Sequence, residues 1–324
     1  MRLKLVPKET NFDFFRYRTV TMGASIAAVV ASIVLWLVVG LNFGIDFRGG
    51  TTIRTEAVQQ VDVGAYRQAV SALDLGEVSV IEVFDPNFGE DQNVTLIRIQ
   101  AQEGQESVTG AIIADVEAAL KEVDPSIEFT SVDSVGPKVS GELVQTAILA
   151  VASALAAILI YIWLRFEWQF SVGAVAALFH DVILTIGIFS LLQIRFDLST
   201  IAALLTIVGY SINDTVVIFD RLRENLRKYK TTPLKDVMNT SVNETLSRTL
   251  MTSGTTLLAL IALLTFGGDV IRGFVFAITW GVVVGTYSSV YVAKNVVLML
   301  GVKRDWSRPS DGGGAGTQFA NVDA

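Results

Sequence analysis

Two pairs of polar residues interrupt segments that are otherwise apolar enough to lie in a lipid bilayer. Asn213 and Asp214 stand in TIVGYSINDTVVIFD, and His180 and Asp181 stand in ALFHDVILTIG. A carboxylate in membrane hydrocarbon costs about 2.5–3.5 kcal/mol on insertion scales, so it needs a compensating partner. Ionisable side chains at such positions usually mark the path of an ion or a proton.

Arg248 is the cation that could compensate Asp214. It begins an apolar segment and Asp214 lies late in the preceding one, so the two would have similar depths on neighbouring antiparallel helices. An Asp–Arg pair there would partly offset the desolvation of both charges. Alternatively, Arg248 could extend to the membrane surface and leave Asp214 without this partner. Thr252 and Thr255 follow Arg248 at helical spacing and would form one polar stripe with it.

These intramembrane side chains allow a structural and a functional interpretation. Polar residues can hydrogen bond between packed helices, and this interpretation suits Asn213. Charged residues suit proton transport, and histidine changes charge most readily near neutral pH. We therefore take Asp214 and Arg248 as the primary candidates for proton transport. The secondary candidates are His180, Asp181 and Asn213.

The composition argues against several other kinds of site. The 324-residue chain has no cysteine, which excludes disulfides, thiolate metal ligands and cysteine nucleophiles. Its single histidine argues against a histidine metal cluster or a hydrolase triad. The residues are 51% hydrophobic with a mean hydropathy of +0.51, and the apolar ones gather in blocks, as in membrane proteins. We expect no enzymatic activity, no metal, no cofactor and no nucleic-acid partner.

The apolar blocks predict six helices that cross the lipid bilayer. Basic residues cluster in residues 1–18, in a hydrophilic loop at 220–247, and after residue 300, which places these segments and both termini in the cytoplasm. The glycine-rich segment 301–324 is expected to be disordered. The predicted helices span residues 19–41, 143–164, 169–192, 199–219, 248–267 and 273–300.

The segment between the first two helices, residues 42–142, has the composition of a soluble domain. Its alternating and amphipathic runs follow the order βαββαβ, which predicts a ferredoxin-like α+β domain. Acidic residues outnumber basic ones, which suits a periplasmic location. The acidic surface fits either a binding face for unfolded polypeptide or an ordinary solvated surface. The predicted strands are 51–57, 78–84, 94–100 and 127–132, and the predicted helices are 63–73 and 107–123.

The sequence GIDFRGG joins the first helix to this domain. Glycines permit tight turns, so the segment could simply lead the helix into a strand. It could instead be a rigid joint that couples the membrane helices to the domain. A second segment rich in helix-breaking residues, 136–141, is predicted to be the linker on the other side of the domain. The coupling residues would be Gly44, Asp46, Arg48, Gly49 and Gly50.

Four motifs in this order resemble the SecD/SecF family of the resistance-nodulation-division superfamily. The resemblance covers nearly the whole chain apart from its glycine-rich tail, and the chain is similar to the smaller, SecF-type members. The motifs are GIDFRGG at 44–50, FHDVILTIGIFSLL at 179–192, VGYSINDTVVIFDRLREN at 208–225 and NETLSRTLMTSGTT at 243–256.

The resemblance implies a translocase subunit of the bacterial inner membrane. It implies a heterodimer with SecD beside the SecYEG channel, with a YajC-type accessory subunit, that uses proton-motive force to pull unfolded preprotein to the periplasmic side. By motif, the family's proton-transport residues fall on Asp214 and Arg248. Two alternatives stay open: an exporter of small molecules from the same superfamily, and a translocase scaffold that conducts nothing. Coupling to Na⁺ rather than H⁺ also stays open.

Overall fold

The computed structural model describes residues 10–76, 78–83, 85, 88–89, 92–100 and 109–302. The basic residues before position 10 and the tail predicted to be disordered, from residue 303 onward, lie outside the described residues. So do the first two residues of the helix predicted at 107–123 and part of the turn before the strand predicted at 94–100.

The described chain consists of one long helix, a small α+β domain, and five further long spans. In chain order the elements are α1 (Arg18–Val39), β1 (Asn42–Phe43), α2 (Ile45–Arg48), β2 (Gly50–Ala57), α3 (Val63–Ser71), β3 (Val78–Val83), β4 (Asn93–Ile99), α4 (Gly110–Val123), β5 (Glu128–Val135), α5 (Pro137–Arg165), α6 (Trp168–Leu192), β6 (Arg195–Phe196), α7 (Leu198–Lys228), α8 (Leu234–Phe266), α9 (Asp269–Ser288), a π-helical turn (Ser289–Ala293) and α10 (Lys294–Leu300). Within these residues, 6 helical spans are long and apolar enough to cross a membrane, which confirms the predicted number. They are α1, α5, α6, α7, α8, and the run that ends with α10.

Two segments predicted to be loop or linker are helical instead. α7 continues to Lys228 and α8 begins at Leu234, so only a short connection remains of the hydrophilic loop predicted at 220–247. Lysine, arginine and glutamate are good helix formers, so a hydrophilic composition does not end a helix. The linker predicted at 136–141 is the first turn of α5, because Pro137 occupies the first helical position, where its missing N–H is tolerated.

The α+β domain contains a four-stranded antiparallel sheet with the strand order β3-β4-β2-β5. Along the chain, β2, α3, β3, β4, α4 and β5 follow the βαββαβ order of the predicted ferredoxin-like arrangement. The two helices cover one face of the sheet. Ile53 and Ile97 from the sheet pack against Val70 of α3 and Leu120 of α4 to form its core.

The membrane helices pack around two apolar cores, one near each end of the bundle. Phe170 and Phe219 belong to the core far from the α+β domain, and Phe189 and Leu204 belong to the core nearer to it. Between the cores, α7 and α9 approach closely at Gly285, where an added Cβ would lie 3.1 Å from the Cβ of Ser211. The polar residues identified in the sequence lie in this middle layer.

Candidate functional site

Asp181 lies at the centre of a buried hydrogen-bond network where α6, α7 and α9 meet. The residue is 1% exposed. Its Oδ2 accepts hydrogen bonds from the hydroxyl of Ser211 at 2.6 Å and from that of Ser288 at 2.7 Å. Its Oδ1 lies 2.9 Å from Nδ1 of His180. Both carboxylate oxygens therefore have partners, and this one side chain connects three helices.

His180 has one nitrogen on Asp181 and one without a partner. Nε2 is buried and makes no hydrogen bond with any part of the chain that the structure describes. The imidazole stacks on the ring of Tyr287 with a centroid separation of 6.0 Å. The Tyr287 hydroxyl in turn donates to the carbonyl of Thr21 at 2.9 Å and lies 3.0 Å from the hydroxyl of Ser25, which brings α1 into the network.

Asp214 has a much poorer set of partners than Asp181. It is 4% exposed, and its Oδ1 accepts one long hydrogen bond, 3.4 Å, from the hydroxyl of Thr249. Its Oδ2 is buried without a hydrogen-bond partner among the described residues. A buried carboxylate with so few donors is expensive as an anion, so it gains from a proton or from an approaching cation.

The predicted ion pair between Asp214 and Arg248 is not formed in the described part of the chain. Arg248 is exposed on α8, and the next residue, Thr249, faces Asp214 instead. Successive residues of a helix point about 100° apart, so both cannot face the same neighbour. Thr255 is exposed like Arg248 and Thr252 is half-buried, and the hydroxyls of both threonines donate to carbonyls of their own helix.

The polar stripe of α8 that faces the bundle therefore lies one residue later than predicted. It consists of Thr249, Ser253 and Thr256, at the same helical spacing. The hydroxyls of Ser253 and Thr286 lie 2.7 Å apart, and the Tyr210 hydroxyl donates to that of Thr256 at 3.3 Å. Together with the bond from Thr249, these contacts make a hydrogen-bonded seam between α8 and its neighbours α7 and α9.

Asn213 lies outside the buried network. It is exposed on the outer face of α7, next in sequence to the buried Asp214. Arg248 is exposed on the adjacent helix α8, so two strongly polar side chains lie on the outside of the bundle. The described residues contain no group of three or more His, Cys, Asp or Glu side chains that could hold a metal ion.

The GIDFRGG segment connects the α+β domain directly to the start of α7. β1 pairs in parallel with β6, and the amide of Gly44 donates to the carbonyl of Phe196 at 2.8 Å. Oδ2 of Asp46 accepts a hydrogen bond of 3.0 Å from the amide of Leu198, the first residue of α7. The helix that carries Asp214 thus begins at this joint.

The last three residues of the motif turn the chain into the sheet. Arg48 ends α2, and Gly49 and Gly50 follow with φ values of 73° and 122°. These positive angles are strained for residues that have a Cβ, so both positions favour glycine. Arg48 forms no ion pair with Asp46 among the described residues. Asp46 bonds to the start of α7, whereas the two glycines turn the chain into the sheet.

One ion pair joins the domain to the bundle, and a second lies within the segment that leads into α7. Arg272 of α9 lies 3.2 Å from the buried carboxylate of Asp85 in the domain. Asp197 caps α7 by accepting from the amide of Thr200 at 3.1 Å, and Arg195 lies 3.1 Å from its other oxygen. Burial opposes ionisation of Asp197, but the hydroxyl of Ser199, the Thr200 amide and Arg195 together hold its pKa below the usual value. The bond from the Leu198 amide to Asp46 and the ion pair between Arg272 and Asp85 thus fix the first turns of α7 and α9 to the domain.

The chain resembles known proteins over its whole length. The family described as "Protein export membrane protein SecD/SecF, C-terminal" matches residues 115–303, and the "SecD/SecF GG Motif" matches residues 34–61. The protein translocase subunit SecF of Cereibacter sphaeroides is 68% identical over 323 residues, which are 100% of this chain and 99% of the relative. SecF of Rickettsia akari is 40% identical over 298 residues, 92% of this chain and 94% of the relative.

Two solved structures share the fold. The crystal structure of SecDF from Thermus thermophilus, a translocon-associated membrane protein, is 34% identical with a TM-score of 0.82 over 93% of this chain. SecDF in its Super-membrane-facing form is 37% identical with a TM-score of 0.65 over 92% of this chain. The chain spans 40% and 39% of those two longer chains.

Proposed function

The chain belongs to the SecD/SecF family of protein export membrane proteins, and from this premise we propose that it is a SecF-type translocase subunit driven by proton-motive force. Together with a SecD-type subunit it completes preprotein translocation on the periplasmic side. The observation that carries the proposal is Asp214, a carboxylate buried in a membrane span with one weak hydrogen bond and one oxygen without a partner.

Protonation of Asp214 is the step that takes up energy from the membrane potential. Moving one elementary charge through 100 mV supplies about 2.3 kcal/mol, which is enough to shift the balance between two helix arrangements. A proton removes the charge that Thr249 alone stabilises poorly. Arg248 precedes Thr249 on α8. It supplies the positive charge that attracts the ionised form of Asp214 when the proton leaves. Any displacement of α7 reaches the α+β domain through the bond between Asp46 and Leu198.

The exposed polar side chains on α7 and α8 support a membrane partner. Asn213 and Arg248 would face lipid if the chain were alone, and polar groups in that position are costly. A second membrane protein that covers this face removes the cost. Because the family includes SecD as well as SecF, we take a SecD-type subunit as this partner. Contacts with the SecYEG channel, a YajC-type subunit and the unfolded preprotein follow from the same premise.

The distribution of charge supports an orientation in the bacterial inner membrane. Arg165, Arg221, Arg223, Arg227 and Lys228 lie at the ends of α5 and α7 that are far from the α+β domain. Positive residues accumulate on the cytoplasmic side of membrane proteins. The domain therefore faces the periplasm, and both ends of the chain face the cytoplasm.

Asp214→Asn tests the proposal. The variant is reconstituted with the SecD-type partner in vesicles, and proton uptake is followed with an internal pH-sensitive dye while export is measured in a strain depleted of the wild-type subunit. We expect both to be lost. Asp220→Asn is the matched control, because Asp220 is an exposed carboxylate on the same helix. Normal proton uptake and export in Asp214→Asn would instead support a scaffold that conducts nothing.

A further inference from the structure

We propose that Asp181, with His180 as its proton donor, is the coupling residue that converts proton uptake into movement of the α+β domain. The inference rests on the proposed function and adds to it a second proton-holding site. Asp214 takes part in conduction, whereas Asp181 controls how the helices are held together.

The geometry of Asp181 suits this role because one oxygen holds two helices. Oδ2 accepts from Ser211 on α7 and from Ser288 on α9, at 2.6 and 2.7 Å. These two helices also make side-chain contacts that join them to the domain, α7 through Asp46 and α9 through the ion pair of Arg272. A change in charge at Asp181 therefore acts at once on the contact of α7 with Asp46 and on the ion pair of α9 with Asp85.

The proton step is balanced and needs no other reactant. A proton binds Nε2 of His180, the buried nitrogen without a partner, and forms a new N–H bond. The Nδ1–H bond breaks, and that proton passes over 2.9 Å to Oδ1 of Asp181. Histidine returns to its neutral form as the other tautomer, and Asp181 becomes an uncharged carboxyl group. Hydrogen bonds to an ionised acceptor are roughly twice as strong as neutral ones, so both serine bonds weaken.

The backbone beside Ser288 can accommodate such a change. The π-helical turn Ser289–Ala293 begins at the next residue. Single π-helical turns inside longer helices occur frequently at functional sites, where they allow local rearrangement. When the bond from Ser288 to Asp181 weakens, α9 can shift or rotate at this turn without unfolding.

Other titratable groups near the pair lie on the spans packed against α6. Tyr287 stacks on His180, Tyr291 stacks on Tyr287 at 5.1 Å, and Lys294 lies 5.3 Å from the ring of Tyr291. On α7, Asp214 follows Ser211 by one turn, and on α8 Arg248 points outward. α1 contributes the hydroxyl of Ser25, while the charged residues of α5 lie at its ends.

The test uses the chain's lack of native cysteine. Glu122→Cys on α4 and Thr265→Cys at the end of α8 are both at exposed positions and can carry spin labels. The doubly labelled chain is reconstituted with the SecD-type partner in vesicles. The distance between the labels is measured with and without an imposed proton gradient, and proton uptake is measured in the same vesicles.

Ser288→Ala is the critical variant, and Ser289→Ala is its matched control. Both serines are 0% exposed, but the Ser289 hydroxyl donates only to the carbonyl of Thr286 on its own helix, at 3.0 Å. We expect Ser288→Ala to retain proton uptake and to change the equilibrium between the two populations of label distance about tenfold before any gradient is imposed, the size expected for one lost hydrogen bond to a charged acceptor. The gradient-dependent change in mean label distance should therefore become smaller. Ser289→Ala should behave like the wild type.

Asp181→Asn extends the test. If the Asp181→Asn variant does not fold, Ser211→Ala is measured in its place. Asp181→Asn should abolish the distance change. The inference is overturned if the two serine variants at positions 288 and 289 behave alike, or if the wild-type distance does not respond to the gradient. Absence of proton uptake in the wild type would contradict the proposed function, whereas a distance change that depends on Asp181 would still support the coupling site.

Discussion

Ser211 donates its hydroxyl to Asp181 and lies about one helical turn before Asp214, so α7 carries one buried carboxylate and contacts the other. The two acids have opposite environments. Asp181 has a partner on each oxygen, whereas Asp214 has one long bond and one oxygen without a partner in the described chain. Both acids therefore act on α7, Asp181 through the hydroxyl of Ser211 and Asp214 as part of the helix itself.

The bond from Ser211 should contribute measurably to stability. Ser211→Ala removes one donor to a buried charged acceptor, and we expect the free energy of unfolding to fall by about 1.5–3 kcal/mol. Thermal unfolding of the purified protein in detergent measures the change. Thr206→Ala is the control, because Thr206 is exposed on the same helix and its hydroxyl donates only to the carbonyl of Ala202. Equal effects of the two substitutions would contradict the importance of the Asp181 network.

The register of the polar stripe on α8 leads to a second prediction. Thr249→Val removes the hydroxyl that faces Asp214 while it keeps the shape of the side chain. We expect slower net proton transport into vesicles, because Asp214 loses its only hydroxyl donor among the described residues and its ionised form becomes less stable, which hinders release of the proton. The bond is long, so the loss in unfolding free energy should stay below about 1 kcal/mol. Thr252→Val is the control, because the Thr252 hydroxyl donates to the carbonyl of Arg248 on its own helix and not to Asp214. Equal loss of proton transport in both variants would show that the stripe does not act through Asp214.

The same stripe shows which part of the site could be predicted from the sequence. The spacing of Arg248, Thr252 and Thr255 equals that of Thr249, Ser253 and Thr256, so periodicity alone identifies a polar helix face but not which of two adjacent faces is buried. The presence of buried ionisable residues was predictable, because few charged residues occur in apolar segments. Which of those residues contact one another was not predictable, because the contacts depend on how neighbouring helices are rotated relative to each other.

The fold was easier to predict than the contacts. Long apolar blocks and the βαββαβ order follow from local patterns, and both appear in the structure. Contacts across long sequence separations have no such signal. Ser288 reaches Asp181 from far along the chain, and β1 pairs with β6 through only two residues of each strand.

Glycine at the end of the coupling motif gives a third prediction. Gly50 has a φ of 122°, which a residue with a Cβ rarely adopts, so Gly50→Ala should cost about 1–3 kcal/mol and weaken the joint to α7. Limited proteolysis between α2 and β2 should become faster, and export should fall more than proton uptake. Gly110→Ala is the control, because a Cβ at the start of α4 meets nothing within 4 Å. Faster cleavage in both variants would argue against a special role for the joint.

The segment before α1 packs on the half of the bundle far from the α+β domain, through two asparagines of α8. Oδ1 of Asn243 accepts from the amide of Phe12 at 2.8 Å, and its Nδ2 donates to the Phe12 carbonyl at 2.9 Å. Oδ1 of Asn239 accepts from the amide of Phe14 at 2.9 Å. The buried Lys294 donates to the carbonyl of Phe14 at 3.2 Å and lies 4.1 Å from the centre of the Phe15 ring.

Asn243→Ala should release this segment, because the backbone of Phe12 loses both of its bonds to that side chain. We expect amide hydrogen exchange of residues 12–15 to accelerate at least about tenfold, as for a loss of roughly 1.4 kcal/mol in local opening free energy. Exchange-detected mass spectrometry of the intact protein measures it. Asn213→Ala, at an exposed position of α7, provides the comparison. Unchanged exchange in Asn243→Ala would mean that Asn239, Lys294 and the aromatic contacts are enough to hold the segment.

The fifth prediction concerns the acid stability of the α+β domain. Tyr66 donates its hydroxyl to Oδ2 of the buried Asp124 at 3.1 Å. Burial opposes ionisation of Asp124, but the hydroxyl and amide of Ser126 and the Tyr66 hydroxyl outweigh it and lower the pKa of Asp124. Because the pKa is lower in the folded state, the ionised carboxylate stabilises the domain above the unfolded-state pKa. This stabilisation disappears as the pH falls through the folded-state value.

Tyr66→Phe removes one of these donors and should therefore make the domain less stable near neutral pH, by about 1 kcal/mol. The difference from the wild type should shrink as the pH falls below the usual pKa of an aspartate, about 3.9, because a protonated Asp124 no longer benefits from the Tyr66 hydroxyl. Amide hydrogen exchange of α3 in the intact protein, measured across this pH range and corrected for intrinsic rates, reports the difference. Tyr161→Phe, in an exposed position on α5, should show none. A difference for Tyr66→Phe that stayed constant with pH would point to lost packing instead of the hydrogen bond to Asp124.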